Sequence, residues 1–186
     1  FGFLEIVPPK DVHLIHCALD DRIPNMAVFI YPYVSWFPYI VVCAYLAIKN
    51  LDDRQFKKAV LVLTTGMNIF LFISFVWPTG LNLREGIVYD LHTLSGNLLK
   101  FVQTVDTPKS VFPSMHVYVT LVLQYTLEMQ KKLVPSWGIW VGRVLAVLIV
   151  LSTMFTKQHS VLDVSAAIVM FAVLVVMVEK IVKNKE

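Results

Sequence analysis

Ser152 to Asp163 (STMFTKQHSVLD) places a lysine, a glutamine, a histidine and an aspartate between two apolar runs, GIWVGRVLAVLIVL and VSAAIVMFAVLVVMV. With the second run helical from about Ser160, His159 and Asp163 are i and i+4 and share a face, about 6 Å apart along the axis. A carboxylate there accepts the proton of one imidazole nitrogen and leaves the other free as a nucleophile or ligand. Taken alone, the cluster reads either as a polar cap at a membrane surface or as a functional group of residues, because boundary ionisable groups lean towards function. A second cluster, Pro113-Ser114-Met115-His116, opens another apolar run. Pro113 suits the first turn of a helix, where its missing N–H costs nothing. Ser114 and the free N–H groups of that turn form an anion site, with His116 projecting from it.

Hydrophobic segments must position these residues. The 186 residues are 57% hydrophobic and 16% charged, with a mean hydropathy of +0.68, more apolar than a soluble domain of this length. The apolar residues fall in blocks near the roughly 20 residues that cross a bilayer. The expected fold is an all-α, multi-pass transmembrane bundle forming one domain over residues 1–186. Its spans run from about Met26 to Ile48, Ala59 to Trp77, Pro113 to Glu128, Trp137 to Met154 and Ser160 to Val182. Tyr31, Tyr33, Trp36 and Phe37 make an interfacial aromatic belt at the start of the first span, and Pro32 and Pro38 bend it. The polar stretch 79–111 holds a helix suited to lying on the surface (GIVYDLHTLSGNLLKFVQTV). Residues 1–7 read as the end of a helix whose start is missing or as a short interfacial piece, and 8–26 as a loop with one helical turn.

The net charge of +3 gives no sign of a nucleic-acid partner, and Cys17 and Cys43 show neither a disulfide framework nor zinc spacing. His13 and His16, at helical spacing, are assigned to surface packing rather than metal ligation, and His92 to the membrane interface. The turns at 49–58 and 131–132 and the tail from Lys180 hold nine of the sixteen lysines and arginines. They are therefore placed in the cytoplasm, and residues 8–25, 78–112 and 155–159 together on the outer face. Arg143, inside the fourth span, snorkels inward. Arg84, the Pro113–His116 tetrad and Lys157-Gln158-His159 then share one membrane face. Two histidines, a carboxylate, a serine and two or three cations at a helix N-terminus suit phosphoryl transfer.

Pro113-Ser114-Met115-His116, followed by His159 and Asp163 with three residues between, resembles the type 2 phosphatidic acid phosphatase superfamily. That family carries a lysine six residues before Arg-Pro, then Pro-Ser-Gly-His, then Ser-Arg, five residues, His, three residues, Asp. The likeness runs over roughly residues 78–165, and the helical pattern extends it to nearly the whole chain. It implies a six-helix membrane core, of which five spans are visible and the first lies before Phe1. Departures are plain. Met115 replaces glycine, Thr153 replaces the arginine after Ser152, Arg84-Glu85 replaces Arg-Pro, and Trp77 stands where the lysine is expected. Lys157 is the candidate for the missing charge, while Lys109 is read as a solvated loop lysine.

Carried over, the resemblance implies that His159 attacks phosphorus and becomes phosphohistidine, oriented by Asp163. His116 protonates the leaving oxygen and later activates water. Arg84, Ser114, Lys157 and the helix N–H groups bind the phosphate oxygens, with no metal and no cofactor. The expected activity is a lipid phosphate phosphatase acting on a phosphomonoester or polyprenyl diphosphate headgroup, in the cell membrane with its site on the non-cytoplasmic face. A lipid phosphotransferase using the same His-His-Asp set with an alcohol acceptor is the alternative. An inactive scaffold or transporter is the third reading, opposed by the retained catalytic-type residues and by spans free of central ionisable groups.

Overall fold

The structure is a computed structural model that describes residues 12–183. The expected N-terminal helix end at 1–7 lies outside the described residues. Four segments are long and apolar enough to cross a membrane: Ala27–Asn50, Asp53–Val76, Ser136–Phe155 and Val161–Lys183. The first is built from a 3-10 turn and two helices, Ile30–Val34 and Trp36–Asn50. It breaks at Ser35, whose hydroxyl donates to the Pro32 carbonyl at 2.6 Å. Pro38 sits in the first turn of the second of these helices, where a missing N–H disrupts no ladder.

The segment expected as the third span differs. Met115–Met129 is a helix of fifteen residues, about 22 Å at 1.5 Å per residue, short of the roughly 30 Å hydrocarbon core. It stands in the middle, packed against Trp36–Asn50, Asp53–Val76, Ser136–Phe155 and Val161–Lys183. Val117, Tyr118 and Val122 are buried there with Val62, Val164 and Ala167. Gly66 makes the closest approach. A Cβ at that position would overlap the Tyr118 ring, whose hydroxyl donates to the Val62 carbonyl.

Charged ends fix the register. Asp52 caps Asp53–Val76 by accepting from Gln55 N at 2.8 Å, and Gln55 Oε1 accepts from Asp52 N at 3.3 Å. Arg143 does reach inward from its helix, but to a partner: it grips Glu128 through Nε at 2.6 Å and a terminal nitrogen at 2.9 Å. Its guanidinium also lies 4.6 Å from the Trp140 ring.

At the other end of the bundle the polar segments interlock. Residues 13–14 and 79–80 pair as a short parallel ladder, which joins the N-terminal loop to the 78–112 stretch. The surface helix is Leu94–Val105, shorter than the expected run: residues 87–90 are irregular and 91–92 form a turn. Gly96, Leu99 and Gln103 face inward, whereas Leu94, Phe101 and Val105 are exposed, the two-sided pattern of an interfacial helix. The expected helical turn in 8–26 is Ala18–Arg22. His13 packs against Trp77 and His16 bonds Asp21, both in surface roles.

Candidate active site

Two helix boundaries build the site. Ser114 is the N-cap of Met115–Met129, its Oγ accepting from Val117 N at 3.4 Å, which sets His116 in the first turn. Ser114 N also donates to the Asp163 carbonyl at 3.1 Å, fastening this turn to the start of Val161–Lys183. The second boundary is the turn after Ser136–Phe155. Lys157 N donates to Met154 O at 3.0 Å and Gln158 N to Thr153 O at 2.9 Å, the paired bonds of a Schellman motif. The left-handed position is Lys157, with φ of 54°, where glycine is the usual occupant. His159 follows two residues later, its own N–H held by Thr153 O at 3.0 Å.

The histidines meet across these boundaries. His159 Nδ1 lies 3.0 Å from Asp163 Oδ2, and His159 Nε2 lies 3.3 Å from His116 Nδ1. An ionised carboxylate only accepts, so the His159 proton sits on Nδ1 and Nε2 is free. His116 Nε2 in turn lies 3.1 Å from the Tyr33 hydroxyl, which donates to Asp106 Oδ2 at 2.7 Å. Trp36 closes over the His116 ring with centroids 4.6 Å apart.

Both histidines open on a cavity of about 70 Å³, lined also by Arg84, Asp106, Lys109, Ser110, Met115 and Gln158. Arg84 is anchored by carbonyls: Nε reaches Lys157 O at 3.4 Å, and one terminal nitrogen reaches Gln103 O at 3.1 Å and Asp106 O at 2.5 Å. Its other terminal nitrogen donates to Gln158 Oε1. Burial lowers the Arg84 pKa, the Asp106 carboxylate opposes that, and the guanidinium stays charged. With Oε1 occupied, the Gln158 Nε2 donor is buried without a partner among the described residues. Thr79 holds the loop that carries Lys109: its carbonyl takes Ser110 N at 2.7 Å, and its hydroxyl accepts from Val111 N and Phe112 N at 3.2 Å each.

Two residues expected on the phosphate have other partners here. Lys157 does not face the cavity; its ammonium donates to the carbonyls of Asp20 at 2.6 Å and Ile23 at 2.5 Å. The left-handed backbone at 157 turns the side chain away from His159 and onto the N-terminal loop. Ser114 is fully buried, its oxygen occupied by the helix cap, and it does not line the cavity. Lys109, read as a solvated loop residue, lines the cavity instead. Thr153, in the place of the expected arginine, is buried and returns its hydroxyl to Val150 O at 2.7 Å.

A family model described as the PAP2 superfamily matches residues 18–177. The chain belongs to the PAP2 superfamily. No curated protein and no solved structure matches it. PAP2 membership assigns phosphatase-type phosphoester chemistry on lipid-type substrates, and the four apolar segments make the chain a membrane protein of that family. Sequence reasoning gave no site role to Tyr33 or Asp106, and named Gln158 beside His159 without a role of its own. Only the neighbourhood of Gln158 to His159 could have marked any of them.

Proposed function

We propose that this PAP2 protein is a lipid phosphate phosphatase working through a phosphohistidine at His159, as a single membrane-embedded domain with its site on the non-cytoplasmic face. The observation that carries the reading is the unbroken line Asp163–His159–His116 opening on a cavity walled by Arg84 and Lys109. His159 Nε2 forms a bond to phosphorus while the bond to the lipid oxygen breaks. That oxygen leaves with the proton of His116 Nδ1. Water then gives a proton back to His116 as its oxygen displaces His159, releasing phosphate. In-line displacement places nucleophile and leaving oxygen on opposite sides of phosphorus, so the two imidazoles part when substrate enters.

Arg84, Lys109, the Gln158 amide and the N–H groups of the Met115 turn meet the equatorial oxygens. This arrangement takes over the part first given to Lys157 and Ser114. With an imidazole nucleophile and two cations on the phosphate, the scheme calls for no metal. The test is phosphate release by purified protein from a panel of lipid phosphates and polyprenyl diphosphates, with chelator present and with and without an alcohol acceptor. Release of inorganic phosphate in chelator is expected. Loss of activity in chelator with restoration by one metal overturns the metal-free scheme, and phosphate appearing only on the alcohol makes the protein a transferase.

A further inference from the structure

His116 has a carboxylate of its own, one hydroxyl removed. The Tyr33 hydroxyl has a single hydrogen, and donates it to Asp106 Oδ2 at 2.7 Å. Toward His116 Nε2, 3.1 Å away, the same oxygen is therefore an acceptor. The His116 ring then carries a proton on Nε2, and its Nδ1, 3.3 Å from the bare His159 Nε2, holds the hydrogen between the two rings when His116 is the imidazolium and is bare once that proton has been given up. Tyr33 is 2% exposed and its ring leans on the imidazole, with centroids 5.0 Å apart. Trp36 holds the imidazole as well. The far end of the line is equally fixed, because Arg84 grips the Asp106 carbonyl. The two histidines are thus served by separate carboxylates, Asp163 directly and Asp106 through Tyr33.

We propose that Tyr33 and Asp106 are positioning residues that hold His116 in the Nε2–H form, aim its Nδ1 at the scissile phosphate, and steady the imidazolium that donates. This rests on the phosphatase reading above. The proton bookkeeping is simple. The imidazolium gives its Nδ1 proton to the leaving oxygen and is left as the Nε2–H form already bonded to Tyr33. In the second half Nδ1 takes a proton from water and the imidazolium returns. The tyrosine and aspartate keep their protonation states throughout, so no proton crosses Tyr33. The wrong tautomer, with hydrogen on Nδ1, would be unable to act as the base in that second half.

Tyr33→Phe keeps the ring that packs on His116 and removes only the hydroxyl. With an alkyl phosphomonoester it is expected to lower kcat about 10- to 100-fold, by analogy with the loss when the hydrogen-bond partner that orients a metal-bound imidazole is removed, with KM little changed. The loss in kcat/KM, which reads only the first half of the reaction, should shrink on nitrophenyl phosphate, whose leaving group needs no proton. Asp106→Asn should behave alike, and the double variant should lose no more than the worse single one, because both act through one line. Additive losses, or equal losses on both substrates, overturn the relay. A readout independent of turnover is the ¹⁵N shifts of the His116 ring in the full chain: hydrogen on Nε2 in the unaltered protein, a mixture of forms in Tyr33→Phe. If the unaltered protein releases no phosphate yet shows that tautomer pattern, the phosphatase reading fails and the positioning role stands. An Nδ1–H form in the unaltered protein ends the proposal.

Discussion

Lys109 and Lys157 show how one backbone angle decides which of two lysines lines the cavity. Lys157 stands two residues from His159, but φ of 54° at the helix C-terminus sends its ammonium to the Asp20 and Ile23 carbonyls. Lys109 is fifty residues earlier in the chain and lines the same cavity as Arg84 and both histidines. A donor preorganised on a transferring phosphoryl group contributes roughly 100- to 1,000-fold. Lys109→Ala is therefore expected to cost about that factor in kcat/KM on a lipid phosphate. Lys157→Gly keeps the left-handed turn, for which glycine is the better residue, and loses only the ammonium. It should retain most turnover while lowering the melting temperature. Steady-state kinetics of the two variants decide the matter, and a loss for Lys157→Gly matching that of Lys109→Ala would restore Lys157 as the phosphate clamp.

Helix Val161–Lys183 begins at a cap supplied from far away in the chain. Asp20 Oδ1 accepts from Val161 N at 2.8 Å, and Oδ2 accepts from the Ser160 hydroxyl at 2.6 Å and from Cys17 N at 2.8 Å. A carboxylate there also meets the positive end of the helix dipole. Asp20, Lys157 and the bond from Met26 N to Phe155 O together clamp the turn that carries His159. Burial alone would raise the Asp20 pKa, but the bonds from Ser160, Val161 and Cys17 outweigh it and the carboxyl titrates below its ordinary value. A folded pKa below the unfolded one adds stability that is fully present above the unfolded value, near 4, and is lost as pH falls through the folded value. Asp20→Ala should cost about 0.5–2 kcal/mol at neutral pH, the range for a lost helix cap. The gap in melting temperature from the unaltered protein should narrow as pH drops below the usual aspartate range. A gap that stays constant through that range would mean the Asp20 charge contributes nothing to the cap.

At the scale of the whole molecule, the apolar blocks and the His159–Asp163 spacing were legible because each is a local pattern, periodic or i to i+4 along one helix. The Pro113–His116 tetrad was legible as a helix start for the same reason. Tyr33 with Asp106, and Asp20 with Val161, were not: 73 and 141 residues separate the partners, and no local period records such contacts. The central helix falls where its apolar run predicted, but that its apolar residues face neighbouring helices was not legible, because composition alone does not separate protein from lipid. Orientation remains a statement about charge. Nine lysines and arginines cluster at 49–58, 131–132 and beyond Lys180, while the loops that meet around the histidines are sparser in them for their length. Glu85 and Lys132 are exposed at opposite ends of the bundle. In a Cys17→Ser background, with Cys43 buried in the core, Glu85→Cys should react with a membrane-impermeant maleimide on intact cells. Lys132→Cys should react only after the membrane is opened. The reverse pattern would put the histidines and their cavity in the cytoplasm, and substrate would then have to be presented from the inner leaflet.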